Sequence, residues 1–423
     1  MPSAMQGSRE IRAGWPHAVL APVVAVAAIA YIFRFPGVLG AGVSIFRVVT
    51  IFFVIYVWWI VCSRGGVLLR SPFVLRMIFG AFLAFSPTLL DLAFHIDAPD
   101  LAAPIYAFWG NLLFLVVFSI AVGREDVDVY LRWYCYVSVF ESVVALYAYF
   151  TLSFPLEFII REFGTDYVRG LALLNVDGEY VRLTGTFFDP NFYGIYLVSV
   201  IVIGQWIFFH RGRNWIYLAI SLLSFGQLVL TASRTAMLGL CGVLFAILIL
   251  RRVRVRIWMP LVLFAMVFGG LVVAFDNQLA DRLLSGESVV ERLEFFRRGL
   301  EAFELAPIFG SGSPALVDPA TGLSSAHSVY ISLLGRSGLL GLAAYALSFL
   351  VLAYPLLAQR GIGTSQREFL LQFIMMIGVV FLSYDILYFF EPLFVWLALM
   401  LVFTKGSDGE SASAVSGTLK EAH

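Results

Sequence analysis

The sequence predicts an all-α protein threaded repeatedly through a membrane, and three observations predict it. Of its 423 residues, 61% are hydrophobic and 13% charged, with a mean hydropathy of +0.90; a soluble domain carries about 25% charged residues. The apolar residues fall into blocks of about 17 to 25, the length of helix that crosses a bilayer core. Basic residues gather in alternate connections between those blocks, as they do in the cytoplasmic loops of membrane proteins. Together these predict a polytopic protein of about twelve transmembrane helices with one large helical loop outside the cytoplasm.

The expected spans are His17–Phe33, Val43–Cys62, Pro72–Leu92, Leu101–Val122, Val127–Phe154 and Phe187–Phe209, then Trp215–Leu230, Ala236–Leu250, Ile257–Phe275, Val329–Tyr354, Phe369–Tyr388 and Leu393–Phe403. The first is not followed by a small-residue cleavage site and a polar domain, so it reads as a retained span. One orientation puts Arg64, Arg70, Arg76, Arg124, Arg211, Arg213, the Arg251–Arg256 cluster, Arg360, Arg367 and Lys405 on one side, leaving Arg34 and Arg234 opposite. By the positive-inside bias both termini are then cytoplasmic. The resulting division is a cytoplasmic N-terminus (1–16), nine spans with an outer loop at 156–185 (17–275), a large outer loop (276–326), three further spans (327–404) and a polar, Ser- and Gly-rich tail expected to be disordered (405–423).

Formal net charge is zero, which removes the case for nucleic acid. Cys62, Cys135 and Cys241 lie in or beside apolar blocks, with neither disulfide nor metal spacing. In the large loop, Ser288 and Glu291 form a capping box. Val289, Leu293, Phe296, Leu300 and Phe303 follow at helical spacing, and Pro307 ends the pattern. The expectation is an amphipathic helix at the outer membrane surface or over a cavity, with Arg292 at the edge of its apolar stripe and aimed inward, and Arg298 nearly opposite.

Several polar residues then fall on the outer side. Arg182 precedes Thr184-Gly185-Thr186 and Asp189-Pro190-Asn191; Arg234 closes Thr231-Ala232-Ser233-Arg234; Arg292 and Arg297 lie on the loop helix; His327 and Tyr330 sit in Ser325-Ala326-His327-Ser328-Val329-Tyr330. Each has an ordinary reading. Asp189 with Pro190 begins a helix as its cap. Arg234 snorkels to the interface. Arg182 and Arg292 are solvated charges, and His327 an interfacial histidine. The functional reading gives the arginines a guanidinium fork suited to phosphate oxygens. It gives His327 a proton to take from a hydroxyl. Gly310 and Gly312 would let backbone approach a ligand, and Gly335, Gly338 and Gly341 would allow close helix packing. Among charged residues inside spans (Arg47, Arg132, Glu141, Asp385, Glu391), Glu141 reads as the deepest, with no role assigned.

The order Gly-Thr-Phe-x-x-Pro-Asn, Ser-Arg between two helices, an arginine helix in a large loop, Gly-x-Gly, then Ala-His-Ser-x-Tyr and Leu-x-x-x-Gly-x-x-Gly-Leu resembles the O-antigen ligase and polysaccharide polymerase superfamily, most strongly over Arg182 to Leu342. The resemblance implies an enzyme at the periplasmic face of the bacterial inner membrane. It would be an inverting glycosyltransferase that moves a glycan from undecaprenyl diphosphate to an acceptor hydroxyl, with no nucleotide sugar, metal or cofactor. It places Arg234, Arg292 and His327 in catalytic roles, with Arg182, Asp189, Asn191, Arg297 and Tyr330 around the substrate. The acceptor is another lipid-linked glycan in a polymerase or lipid A core in a ligase, and a chain-length regulator protein is a further partner to test for. Ser328, Arg336 and Pro314 stand where the family often has asparagine, glutamate and glycine. Those departures tip the reading toward a polymerase, with ligase as the alternative. From another class, a polysaccharide flippase stays open, although transporters usually show repeated halves with midplane sites and no repeat is visible here.

Overall fold

The computed structural model describes residues 15–29, 34–35, 43–63, 72–94, 102–151, 174–177, 180–187, 189–250, 287–317, 328–358, 364–383 and 391–403. Twelve α-helices lie among the described residues. They are α1 (Trp15–Ile29), α2 (Ile45–Ser63), α3 (Pro72–Phe94), α4 (Ala102–Ala121), α5 (Val127–Thr151) and α6 (Pro190–His210), followed by α7 (Trp215–Leu230), α8 (Arg234–Leu250), α9 (Glu287–Leu305), α10 (Val329–Ala358), α11 (Thr364–Ser383) and α12 (Glu391–Phe403). Eleven expected spans coincide with helices; the expected span Ile257–Phe275 lies outside the described residues, as does His327. Stretches within α3, α6, α10 and α11 are long and apolar enough to cross a membrane.

The packing gives each helix a place. Nearly all of α6 is buried, from Phe192 to Phe208, so it is the central helix, with α5, α7, α8 and α11 around it. A helix apolar all round belongs inside a bundle. Peripheral helices instead expose large apolar side chains, among them Phe52, Trp58, Phe82, Phe140 and Leu350, as a lipid-facing surface does. Some polar groups inside the bundle pair across helices: Trp396 Nε1 donates to Tyr134 Oη at 2.6 Å, and Tyr134 and Ser199 share a hydrogen bond at 3.3 Å. In a hydrocarbon setting such polar pairs tie helices together, each worth about 1 kcal/mol.

At one end of the bundle a polar knot closes several connections. Arg211 pairs with Asp128 at 2.8 Å, His17 with Asp126 at 3.3 Å, Arg124 donates to Gln366 at 2.7 Å, and Trp206 donates to the Ser365 carbonyl. The start of α1, the α4–α5 and α6–α7 connections and the start of α11 therefore meet. These are connections that the basic bias assigns to a single side.

Three features depart from the expectation. First, a hairpin of two strands, β1 (Leu174–Asp177) and β2 (Tyr180–Leu183), stands within the expected loop 156–185, with Asn175 opposite Arg182. A second short pair, β3 (Arg34–Phe35) with β4 (Val43–Ser44), lies between α1 and α2. Second, α9 begins at Glu287, so Ser288 falls inside its first turn rather than capping it. Its buried line is Phe295, Gly299 and Ala302, while Leu293 and Leu300 are exposed. The small residues decide this: a Cβ added at Gly335 of α10 would lie 3.1 Å from the Gly299 carbonyl and 3.4 Å from the Ala302 Cβ. Close backbone approach outcompetes the bulkier leucine stripe.

Third, α10 is broken at Gly338, whose backbone (φ 63°, ψ −161°) only glycine adopts readily. Tyr330 and Tyr345 both lie within 6.4 Å of the Phe381 ring, although a straight helix would separate positions fifteen apart by about 22 Å. The freed backbone groups are taken up by residues 307–312: Ser311 N donates to Gly335 O, Gly312 N to Arg336 O, Leu339 N to Pro307 O and Leu340 N to Ile308 O. Gly310 and Gly312 thus approach protein backbone at the break. Asp91 at the end of α3 accepts from the Ser313 amide at 2.9 Å and from its hydroxyl, fastening the same loop.

Candidate functional site

The site assembles where α6, α7, α8 and the β1–β2 hairpin meet. It begins with the turn Thr231-Ala232-Ser233. Thr231 Oγ1 donates to Leu228 O and accepts from Ser233 N, and Ser233 Oγ accepts from Ala236 N as the cap of α8. Ala232 carries a positive φ of 48°, a left-handed conformation that costs an L-residue about 1–2 kcal/mol. The turn is held there from both sides.

From one side comes Arg182. Its Nε donates to Thr231 O at 3.0 Å and its Nη2 reaches Ala232 O at 3.5 Å. A helix end leaves carbonyls without partners, and a cation is favoured there. Arg182 satisfies the end of α7 in that way, so its place in the site is to hold the turn. From the other side comes the start of α6. Asp189 caps it, accepting from Asn191 N at 2.6 Å and Phe192 N at 3.4 Å. The cap aligns Asn191, whose Oδ1 accepts from Ser233 Oγ at 2.9 Å. Gly194, one turn along α6, lets the turn nest: a Cβ there would lie 2.7 Å from the Ala236 Cβ and 3.1 Å from the Ser233 Cβ.

Arg234 is the product of this scaffold. It is the first residue of α8, half-buried beside the buried residues Thr231, Ser233 and Thr235. A cation at a helix N-terminus opposes the helix dipole, which favours anions there. The first-turn amides and the guanidinium together favour an anion, phosphate above all. The Thr235 hydroxyl in the same turn is buried, with no hydrogen-bond partner among the described residues.

The other expected residues are placed as follows. Position 292 continues, by helical spacing, the docked line Phe295–Gly299–Ala302 of α9; its side chain is outside what is described. Arg297 is exposed on the opposite side of α9, paired with Glu301 at 2.7 Å. Arg298, expected to point away, is half-buried over the Phe295 ring at 5.2 Å. Tyr330 reaches the Gly378 carbonyl of α11 at 3.5 Å, and Ser328 donates to Phe381 O at 3.1 Å. α8 packs against α11, with Gly239 against Val380 and Gly242 against Val379.

Residues 218–346 match the family described as O-antigen ligase. The matched segment contains Arg234, Arg292, Arg297, His327 and Tyr330, and covers less than a third of the chain. Arg182, Asp189 and Asn191 lie before it and brace it. No curated protein matches the chain.

Two groups escaped the sequence reading. Asp91 was not singled out, although a lone carboxylate near the end of an apolar span was a visible signal. Glu141 was noted without a role: it is fully buried on α5, and its Oε1 accepts from Thr186 N at 2.6 Å. An apolar crevice also opens among α3, α4, α10, α11 and α12, lined by Ala84, Phe108, Tyr345, Phe349, Phe394 and Leu397. None of the expected site residues lines it.

Proposed function

We propose that this protein is a glycosyltransferase of the bacterial inner membrane that moves a glycan from undecaprenyl diphosphate to an acceptor hydroxyl at the periplasmic face. The first reading of the acceptor is a second lipid-linked repeat, which makes it a polysaccharide polymerase. The observation that carries the proposal is Arg234 held at the head of α8, within the O-antigen ligase segment, by Arg182 and Asn191. The knot that gathers Arg124 and Arg211 with the start of α1 supports cytoplasmic termini and an outward-facing Arg234.

In the proposed reaction the acceptor oxygen attacks the anomeric carbon while the bond from that carbon to the diphosphate oxygen breaks. His327 takes the hydroxyl proton. The electron pair leaves with undecaprenyl diphosphate, whose charge Arg234 and Arg292 offset. No metal or nucleotide sugar enters the scheme. Attack opposite the leaving group inverts the anomeric centre.

A ligase reading, with lipid A core as acceptor, is favoured by the description of the matched family. Purified protein in nanodiscs, given an undecaprenyl-diphosphate-linked repeat with and without lipid A core, separates the two. Longer chains on the carrier identify a polymerase. Glycan on lipid A core identifies a ligase. No transfer to either acceptor, under conditions where the protein is folded, contradicts the proposal.

A further inference from the structure

Glu141 lies fully buried in the middle of α5, where a carboxyl group is expensive unless it is used. Its Oε1 accepts the Thr186 amide at 2.6 Å. Gly185, at φ +54°, brings the backbone so close that a Cβ there would collide with the same oxygen and lie 2.8 Å from the Tyr193 ring. Thr186 Oγ1 also donates to Ile29 O at 2.6 Å, so the turn after β2 is pinned between α1 and α5. The next residue on α5, Ser142, donates to Gln227 Oε1 at 3.1 Å and accepts from Gln227 Nε2 through its carbonyl at 3.1 Å. Gln227 lies one turn before Thr231, and Tyr193 of α6 donates to it at 2.8 Å.

Residues 141 and 142 thus grip both partners of one contact. Glu141 holds the Gly185–Thr186 turn, three residues from Arg182. Ser142 holds the last turn of α7, which supplies the carbonyls that Arg182 binds. We propose that Glu141 is a positioning residue for Arg234: by anchoring the Gly185–Thr186 turn it sets Arg182 against the Thr231–Ala232 carbonyls and so fixes the head of α8. The inference rests on Arg234 acting in the transfer proposed above. Glu141 Oε2 has no hydrogen-bond partner among the described residues, so the acceptor at Oε1 is the feature that matters.

The test compares full-length wild type, Glu141→Gln, Glu141→Leu, Arg182→Met and the Leu/Met double variant in nanodiscs, with the lipid-linked repeat as substrate. Amide exchange over 180–187 and 231–237 is followed alongside. Gln keeps an acceptor and should remain within about threefold of wild type, whereas Leu should lose about tenfold or more in kcat/KM, mostly through KM for the donor. Exchange in both segments should quicken with Leu and not with Gln. Because Glu141 acts through Arg182, adding Leu to Arg182→Met should cost less than about twofold more, the non-additivity of coupled residues. Additive losses, a Gln variant as poor as Leu, or a Leu variant equal to wild type would each overturn the proposal. If wild type itself transfers nothing, the functional reading fails, and exchange alone decides the inference: quickening at 231–237 in Leu but not Gln upholds it, and no change overturns it. Should Glu141→Leu fail to insert, Gly185→Ala replaces it, since its Cβ must push the turn off the carboxyl group.

Discussion

Arg182 donates from Nε to the Thr231 carbonyl at 3.0 Å, and this bond joins a β-hairpin to the helix end that introduces Arg234. An arginine three positions before the Gly-Thr-Phe motif thereby becomes part of the frame of the site. Arg182→Lys should lower transfer strongly, because an ammonium cannot reproduce the fork that spans two carbonyls. Arg182→Met should also destabilise the protein by about 1–3 kcal/mol, the cost of leaving a buried acceptor unsatisfied. Thermal unfolding in detergent and donor turnover check both.

Arg234 is predicted to behave in the opposite way. It is half-buried and lies at a helix start that its own charge disfavours, so its removal should leave stability nearly unchanged. Arg234→Ala and Arg234→Lys should each reduce transfer by about 100-fold or more, the scale of losing a charge-stabilising donor. Unimpaired polymer with Arg234→Lys would count against the diphosphate clamp.

The nesting of the α7–α8 turn on Gly194 predicts a steric effect. Gly194→Ala would place a Cβ 2.7 Å from that of Ala236, and the turn must shift. Overpacking of this kind costs about 1–3 kcal/mol. Activity should fall along with melting temperature, and Gly110→Ala, whose Cβ would meet nothing within 4 Å, is the matched control.

The break in α10 predicts a different phenotype. Gly338→Ala meets both a positive φ and the Gly310 amide at 2.7 Å, and Asp91→Ala releases Ser313. Both should loosen residues 306–317 before the bundle itself. Limited proteolysis should cut that segment faster than in wild type, whereas Arg297→Ala should change nothing. Arg297 is exposed, and its pair with Glu301 is an i,i+4 surface contact worth about 0.3–0.5 kcal/mol.

Much of this was legible in the sequence because the membrane imposes it. Apolar blocks of spanning length give helices, and those at Pro72, Pro190 and Trp215 start where proline or a preceding asparagine sets the first turn. Asp189 was legible as a cap, and it is one. The break at Gly338 was not, because Gly335, Gly338 and Gly341 also suit an unbroken packing helix; only the partner loop decides. The docked line of α9 was not legible either: Gly299 and Ala302 dock by allowing backbone contact, which hydrophobic spacing does not mark. The bond from Arg182 to Thr231 was not legible, because sequence cannot show which carbonyls lie beside a residue 49 positions away. Glu141 was visible as deep, but its partner is a backbone amide, which carries no sequence signal.

The most direct measurement is made in cells. A deletion strain is complemented with wild type or His327→Ala, and the lipid-linked glycans and the surface polysaccharide are both extracted and sized. The account predicts that the deletion leaves single repeat units on the carrier, that wild type restores polymer, and that His327→Ala does not. Long chains held on the carrier and absent from lipid A core would move the assignment to the ligase. Repeats confined to the cytoplasmic face, or full-length polymer with His327→Ala, would contradict it.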